Sequence, residues 1–403
     1  MTENNNQKNT TEEKPVPNKF VQVENYLKRK YDFRYNTVLN FYEYKEKGDE
    51  KYIKLEIEKI YAHLCRINLE LSERKLIAMF KSEISERYNP LMKYFQELTP
   101  WDGKDHIKAL CTFIKTTDDV RFELQLKKQL VRCAKNIFID GYFNKHCFVL
   151  MSRNTETNKA QSMGKTSIIS WLVPPALRES YYTLDFNPEN DAKCNRSLSE
   201  CFIINIDEMA NLNRSDLDKV KRYLSQSSAR ERLPYDRDFS TLKRNASFFG
   251  STNKDTFLND PSGSVRWLVF ELCGIDFGYS KHLIPDQIWA QAYAMFQTNY
   301  AAELSAEELE ANEQSNNQFK ERSSEMDLIE MYFEKDRDKI TFLTPTEVQL
   351  KLYEKNNNPL SAKLTANNIG KALSSLGYVR TSVRAENGIP RYGYYIKALT
   401  PFN

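Results

Sequence analysis

The chain has 403 residues, enough for two or three domains, and 40% of them are hydrophobic, which supports well-packed cores. Its net charge of +3 neither requires nor excludes nucleic acid, because a local basic surface can bind a polyanion while the rest stays near neutral. Seven scattered cysteines without paired spacing indicate neither a zinc knuckle nor a disulfide framework, and no apolar run approaches membrane-spanning length. We therefore expect a cytoplasmic protein with reduced thiols and no membrane role.

The chain changes character near residue 19. Residues 1–18 are rich in Asn, Thr, Glu and Lys, include Pro15 and Pro17, and are predicted to form a disordered tail. Residues 19–144 contain amphipathic stretches whose apolar residues recur three and four apart, so this region is predicted to be rich in helices. A β-hairpin is expected within it at residues 33–44.

An apolar strand, a polar loop and a helix start follow at residues 148–169. The helix begins with Gly164, Lys165, Thr166 and Ser167. Backbone N–H groups at a helix N-terminus attract phosphates, Lys165 adds positive charge, and the Thr166 hydroxyl can bind Mg²⁺. The full phosphate-loop pattern has a further glycine where this chain has Lys159, so a chance tripeptide on an ordinary helix start is the alternative.

A second motif about forty residues later has the form of a Walker B strand. The apolar residues 202–206 end in Asp207 and Glu208. Beside a phosphate loop, Asp207 would hold Mg²⁺ and Glu208 would polarise the attacking water, since hydrolysis depends chiefly on a well-positioned nucleophile. The alternative is a buried strand followed by a solvated acidic turn.

Two further strands end or begin with polar residues. Residues 246–253 are apolar and end at Asn253, which can orient the attacking water; the alternative is a strand ending in a turn. Arg266 precedes the apolar residues 267–270, and an arginine there can reach the γ-phosphate of a neighbouring subunit. An ordinary surface arginine is the alternative.

The alternation of strands and helices over residues 145–300 predicts an α/β core with a mostly parallel, five-stranded sheet. In such sheets, ligands bind at the carboxyl ends of the strands. Lys165, Asp207 and Asn253 all follow predicted strands, so we expect them to meet at one edge.

These residues, together with a few others, resemble the virulence-associated protein E family. The resemblance covers roughly residues 85 to 300 and is carried by Gly164-Lys165-Thr166, Asp207-Glu208, Pro234-Tyr235, Arg244, Gly250-Ser251-Thr252-Asn253, Asp260-Pro261-Ser262-Gly263, Arg266 and, upstream, Asn89-Pro90 and Trp101-Asp102-Gly103-Lys104. That family is similar to superfamily 3 helicases, which are AAA+-like P-loop motors of phages, satellites and other mobile elements.

The resemblance implies a set of roles. Lys165 and Thr166 match the ATP-binding Walker A pair, Asp207 and Glu208 the Walker B pair, Asn253 the sensor and Arg266 the arginine finger acting on the next subunit. It also implies ATP and Mg²⁺ as cofactors and a homo-oligomer, expected to be a hexameric ring. The N-terminal region shows no primase pattern of acidic residues and zinc-binding cysteines, so any primase would be a separate chain. The chain departs from the family pattern at Lys159, and at Val265-Arg266, where two adjacent arginines are usual.

Residues 227–244 occupy the position of a hairpin that grips single-stranded DNA in superfamily 3 motors. Cations there can follow phosphates and rings can stack on bases. The predicted DNA-binding residues are Arg230, Arg232, Tyr235, Arg237, Lys243 and Arg244. A solvated charged loop is the alternative, and Arg244 could instead face the nucleotide.

An acidic, Asn-rich stretch at residues 301–323 is predicted to be a linker. After it, residues 324–403 predict helices followed by two strands, an order typical of a winged-helix module that binds duplex DNA. Residues 340–403 contain eight basic and three acidic residues, and Arg380, Arg384 and Arg391 lie near the predicted wing. The alternative is a winged helix that only packs against protein.

The sequence thus favours an ATP-hydrolysing DNA helicase or translocase that acts in replication of a phage, satellite or other mobile element. One alternative is a nucleotide-dependent assembly switch in phage interference that unwinds nothing. The other is a non-catalytic DNA-binding replication initiator.

Overall fold

The computed structural model describes residues 18–82, 84–153, 163–209, 212–231, 240–254, 256–258, 264–319, 323–355, 364–384 and 388–399. Several sequence predictions fall outside these ranges. They are the tail at residues 1–17, the loop residue Lys159, the turn at residues 260–263, and the predicted DNA-binding residues Arg232, Tyr235 and Arg237. Within the described ranges, no helix is both long and apolar enough to cross a bilayer.

The N-terminal unit combines helices with a small mixed sheet. Its elements are α1 (Lys19–Lys30), β1 (Tyr31–Asn36), β2 (Phe41–Glu46), β3 (Ile53–Lys54), α2 (Ile57–Arg66), α3 (Glu73–Phe80) and β4 (Glu86–Tyr88). The sheet order is β3-β2-β1-β4, with β1 antiparallel to β2 and parallel to β4. Tyr31 and Phe33 alternate with polar residues along β1 and pack against the helices, since successive side chains point to opposite faces. The expected hairpin at residues 33–44 is confirmed.

The central unit is built on a six-stranded sheet. Its first elements are α4 (Pro90–Glu97), α5 (His106–Thr112), β5 (Ile114–Thr116), α6 (Asp119–Phe138), β6 (Cys147–Met151), α7 (Lys165–Leu172), α8 (Pro175–Tyr181), β7 (Tyr182–Thr183) and α9 (Asp191–Glu200). They are followed by β8 (Ile203–Ile206), α10 (Arg214–Leu224), β9 (Ser228–Glu231), β10 (Ser240–Lys243), β11 (Ser247–Thr252), β12 (Trp267–Ile275), α11 (Tyr279–His282), α12 (Pro285–Gln297) and α13 (Ala306–Asn316).

The strand order of this sheet is β5-β12-β6-β11-β8-β7. The five strands β12, β6, β11, β8 and β7 are parallel, and β5 is an antiparallel edge strand beside β12. The prediction of five strands is therefore wrong by one. The missed strand, β5, contains only Ile114, Lys115 and Thr116, which is too short to give an apolar run.

Alternate residues of the four strands β12, β6, β11 and β8 enter two different hydrophobic cores. On β6, Phe148 and Leu150 pack into the core on one side of the sheet, with α4, α6, α7 and α12. Cys147, Val149 and Met151 pack on the other side, with α9 and α10. Because both faces are covered, the parallel strands are mostly apolar, with buried polar exceptions such as Asn205 on β8 and Ser247 on β11.

Helix α6 joins the sheet to the segment that follows α12. Fully buried Arg132 donates a hydrogen bond to the carbonyl of Ala302 (2.7 Å), and Asn136 donates to that of Asn245 (2.8 Å). From α13, Asn312 and Asn316 both donate to the carbonyl of Trp267, at 2.9 and 2.8 Å.

Much of the predicted linker at residues 301–323 is therefore packed into the central unit. These buried amides satisfy carbonyl groups that would otherwise lack partners, which explains why an Asn-rich helix lies against the sheet.

The C-terminal unit contains α14 (Ser324–Tyr332), β13 (Phe333–Lys335), β14 (Phe342–Leu343), α15 (Pro345–Lys355), α16 (Ala366–Ser375), β15 (Thr381–Arg384) and β16 (Pro390–Ala398). Strand β16 pairs antiparallel with β13, β14 and β15. Leu352, Ile369 and Ile396 are fully buried between the helices and this sheet. The winged-helix interpretation stays a prediction.

Candidate functional site

Three neighbouring parallel strands end at the same edge of the central sheet. Strand β11 lies between β6 and β8, and pairs Thr252 with Met151 and Gly250 with Ile206. The residues that follow these strands, Ser152, Asp207 and Asn253, consequently lie side by side. This edge is where a doubly wound sheet binds ligands.

The turn into α7 requires glycine at position 164. Gly164 has a φ of 80°, in the left-handed region, and is the N-cap of α7. A Cβ atom at this position would lie 2.6 Å from a ring carbon of Phe277. Only glycine satisfies both the backbone conformation and the close approach of the ring.

The first residue of α7, Lys165, is only 7% exposed. Its Nζ atom donates hydrogen bonds to Ser152 Oγ and Asn253 Oδ1, both at 2.5 Å. Burial lowers the pKa of Lys165, while the charge of Asp207 opposes that shift. The structure thus brings the ammonium group to the ends of β6 and β11, beside the start of α7.

Asp207 accepts two hydroxyl hydrogen bonds. Thr166 Oγ1 donates to Asp207 Oδ1 at 2.7 Å, and Ser251 Oγ donates to the same oxygen. A single carboxylate beside a hydroxyl fits Mg²⁺, which keeps several waters and takes other ligands from substrate phosphates. Thr166 and Asp207 would hold such an ion, which would shield phosphate charge when bound.

Glu208 follows directly and is exposed, with a φ of 48°. A left-handed conformation is unfavourable for glutamate and is a feature that clusters at functional sites. The next residue, Met209, is buried against Gly250, where an added Cβ would lie 2.6 Å from the sulfur. Packing of Met209 therefore fixes the turn that exposes the Glu208 carboxylate.

Together these residues enclose a cavity of about 340 Å³. It is lined by Met163, Gly164, Lys165, Thr166, Ser167, Asp207, Glu208, Ser251, Thr252 and Asn253. The structure thus assembles the predicted residues of the phosphate loop, the acidic pair and the sensor strand in one place.

Arg266 is not part of this cavity. Its carbonyl accepts a hydrogen bond from the N–H of Cys147 (2.8 Å), which places it at the amino end of β6. Five residues of β6, roughly 16 Å of strand, separate the two edges of the sheet. Arg266 is half-buried, and its Nε donates to Ser225 Oγ at 2.9 Å. Within one subunit, Arg266 therefore lies far from Lys165.

The predicted DNA-binding hairpin is described only at its base. Strands β9 and β10 pair antiparallel, with Glu231 opposite Ser240. Arg230 is exposed on β9. Lys243 is half-buried and donates to the carbonyl of Ile137 (2.9 Å) and to Asp140 (3.1 Å).

The prediction that Arg244 binds DNA is wrong, because its side chain is completely buried. Its guanidinium donates to five backbone carbonyls, those of Asn144, Tyr223, Leu224, Gln226 and Ala246, at 2.7–3.0 Å. It also lies over the rings of Phe143 and Phe248. Burial lowers the pKa of Arg244 to about 9, so the group stays charged at neutral pH.

The C-terminal arginines have different surroundings. Arg380 and Arg384 are exposed beside and on β15, and Arg380 lies 5.1 Å from the ring centroid of Tyr392. Arg391 forms an ion pair with Glu347 of α15 at 2.5 Å.

Sequence reasoning missed Ser152 and gave Ser251 no individual role. Ser152 bonds to Lys165, and Ser251 bonds to Asp207. Both are hydroxyl residues at the ends of buried apolar strands, the same signal that identified Asp207 and Asn253.

Comparisons with known proteins give a domain match and structural likenesses. The model of the virulence-associated protein E-like domain matches residues 95–321. No curated protein sequence matches the chain at a significant level.

Among solved structures, the apo NrS-1 C-terminal region (305–718) has a TM-score of 0.48 and 13% identity, covering 95% of this chain and 100% of that one. An A-form apo structure of the same region has a TM-score of 0.46 and 10% identity, covering 90% of this chain and 88% of that one. With TM-scores below 0.5, the assignment rests on the domain match, which spans more than half of the chain. The chain belongs to the virulence-associated protein E-like family.

Proposed function

We propose that this protein is an ATP-dependent DNA helicase or translocase that acts in replication of a phage, satellite or other mobile genetic element. The observation that carries the proposal is the cavity at the start of α7, where Lys165 bonds to Asn253 after β11 and Thr166 bonds to Asp207 after β8. Membership of the virulence-associated protein E-like family supports the same reading.

The residues of the cavity have complementary roles in this proposal. Lys165 and the N–H groups of α7 bind the β- and γ-phosphates. The hydrogen-bond partners of Lys165, Ser152 and Asn253, hold its ammonium group beside the start of α7. Glu208, exposed beside Asp207, accepts a proton from the attacking water, and Asn253 orients that water.

Arg266 completes the site from a neighbouring subunit. It lies at the opposite edge of the sheet from the cavity, so it cannot act on the nucleotide of its own subunit. A closed ring, with six subunits as the expected number, brings that edge against the next cavity, as a heterologous interface allows. The arginine then neutralises charge that develops in the transition state.

DNA contact is assigned to two surfaces. The hairpin of β9 and β10 carries exposed Arg230, and the C-terminal unit carries exposed Arg380 and Arg384. Such cations bind phosphates without regard to sequence.

The first experiment measures ATP binding, hydrolysis and strand displacement on forked DNA. Lys165→Ala is expected to abolish ATP binding, and Glu208→Gln to bind ATP without cleaving it. Lys108→Ala, which changes an exposed lysine on α5, serves as the matched control. Normal turnover by Glu208→Gln would disprove its role, and DNA-stimulated hydrolysis without displacement would favour the assembly switch.

The second experiment tests the shared site by mixing two inactive variants. Glu208→Gln keeps the arginine but lacks the base, whereas Arg266→Ala keeps the base but lacks the arginine. Equal mixing should restore about a quarter of wild-type hydrolysis if each site takes its arginine from the next subunit. A mixture as inactive as its components would exclude the shared site. Arg29→Ala mixed with Glu208→Gln is the control for simple dilution.

A further inference from the structure

We propose that Phe277 forms the stacking surface for the nucleotide base, so that the chain recognises a nucleoside triphosphate rather than a bare polyphosphate. This inference rests on the proposed function, because it assigns the base of the same ligand. It concerns the loop after β12, for which no role was predicted from the sequence.

The first observation is the position of the ring. Strand β12 is next to β6 in the sheet, and the chain runs past its end to place Phe277 against Gly164. A Cβ at Gly164 would lie 2.6 and 2.7 Å from two atoms of the Phe277 ring. The ring therefore lies directly beside the turn that would hold the phosphates.

The second observation is that the ring remains accessible. The side chain of Phe277 is 52% exposed, which is unusual for a phenylalanine next to a packed core. The ring does not line the 340 Å³ cavity but packs against Gly164, which does. A base linked to phosphates in that space would meet the exposed part of the ring.

The third observation is that the loop is held in place. The N–H of Asp276 donates to the carbonyl of Phe113 (2.8 Å), and the N–H of Gly278 donates to Asp276 Oδ1 (2.8 Å). Tyr279, two residues after Phe277, is buried against Trp171 of α7, with ring centroids 4.9 Å apart. A fixed ring stacks on a base with little loss of conformational entropy.

The chemistry that fits this surface is a purine or pyrimidine ring. Every base has a π-face, and stacking on an aromatic side chain is tolerant of base identity. Purines present the larger face, so we expect the chain to bind ATP and GTP more tightly than CTP and UTP.

The test compares ATP with inorganic tripolyphosphate, each in the presence of Mg²⁺, by equilibrium binding to the full chain. Phe277→Leu keeps apolar volume but removes the ring. It should weaken ATP binding by about 5- to 150-fold and leave tripolyphosphate binding unchanged. Phe277→Tyr should bind both as the wild type does. Tyr392→Leu, which removes a ring that is 53% exposed in the C-terminal unit, is the matched control.

The outcomes separate this inference from the proposed function. Equal weakening of ATP and tripolyphosphate by Phe277→Leu would mean that the ring only supports the Gly164 turn, and no weakening would mean that it touches neither ligand; both results overturn the inference. Failure of the wild type to bind either compound would overturn the nucleotide site itself. If Lys165→Ala abolishes tripolyphosphate binding, and the wild type binds ATP no more tightly than tripolyphosphate, the phosphate site is supported and only the base surface is rejected.

Discussion

The burial of Arg244 leads to a prediction about stability. Replacing Arg244 by methionine keeps a long side chain but removes the guanidinium donors to the five carbonyl groups. Arg244→Lys keeps the charge but has a single nitrogen, so it can satisfy only some of these carbonyls.

The magnitude follows from the number of acceptors left without partners. A buried polar group left unsatisfied costs about 1–3 kcal/mol, so five carbonyls set an upper range of about 5–15 kcal/mol. The carbonyls of Tyr223 and Ala246 keep other donors, from the Gln226 N–H and the Asn136 amide, and methionine adds apolar contacts, both of which reduce the loss. We therefore expect Arg244→Met to lower the free energy of unfolding by about 3–5 kcal/mol. The free energy of unfolding of a folded domain is about 5–15 kcal/mol, so the expected loss is a large fraction of the total stability. The free energy of unfolding of Arg244→Lys should lie between those of Arg244→Met and the wild type.

The assay is urea unfolding, together with the salt dependence of single-stranded DNA binding. Arg230→Ala, an exposed arginine one strand away, should change stability by less than about 0.5 kcal/mol and reduce the salt slope of DNA binding. If Arg244→Met leaves the urea midpoint unchanged and reduces the salt dependence of DNA binding, Arg244 binds DNA and does not stabilise the fold.

Three further predictions concern the core and the cavity. Burial, aided by nearby cationic groups, lowers the pKa of His146 to about 3. The unfolded state therefore binds more protons below pH 6.5, and the free energy of unfolding falls as the pH falls. In urea titrations, His146→Phe should remove about 2 kcal/mol of the loss in unfolding free energy between pH 7.5 and pH 5. Gly164→Ala should weaken ATP binding by at least about tenfold, because the new Cβ meets Phe277 and a φ of 80° strains alanine, and wild-type affinity in a binding titration would contradict this. Because glycine accepts a left-handed backbone, Glu208→Gly should raise the free energy of unfolding by up to about 1 kcal/mol, while ATP turnover is lost. A destabilised variant in thermal unfolding would show that no strain is stored at position 208.

The parallel strands of the core could be predicted because both faces of the sheet are covered. For that reason residues 148–151 are a continuous apolar run and residues 202–206 are apolar except for Asn205, and the polar residue after each run marks the ligand edge. The prediction that Lys165, Asp207 and Asn253 meet at one edge is confirmed by the cavity they line.

The errors have a common physical cause. The sequence shows that Arg244 is charged but not that it is buried. A buried arginine surrounded by carbonyls cannot be distinguished from an exposed one by sequence alone. Asn312 and Asn316 likewise look like linker residues, although each donates to a carbonyl inside the fold. Polar side chains that satisfy distant backbone groups leave no periodic signal in the sequence.

The hydrogen bonds of α6 determine which fragment of the chain can be excised intact. A fragment limited to residues 145–300 would lack Arg132, Asn136 and α13, and would expose the sheet face and carbonyl groups that they cover. The smallest autonomous piece must begin before α4, whose Leu91 and Phe95 belong to the core, and extend past Phe319, whose carbonyl bonds to Phe257. Limited proteolysis should therefore release a piece well beyond the motif-bearing segment, and expression of that segment alone should give insoluble material.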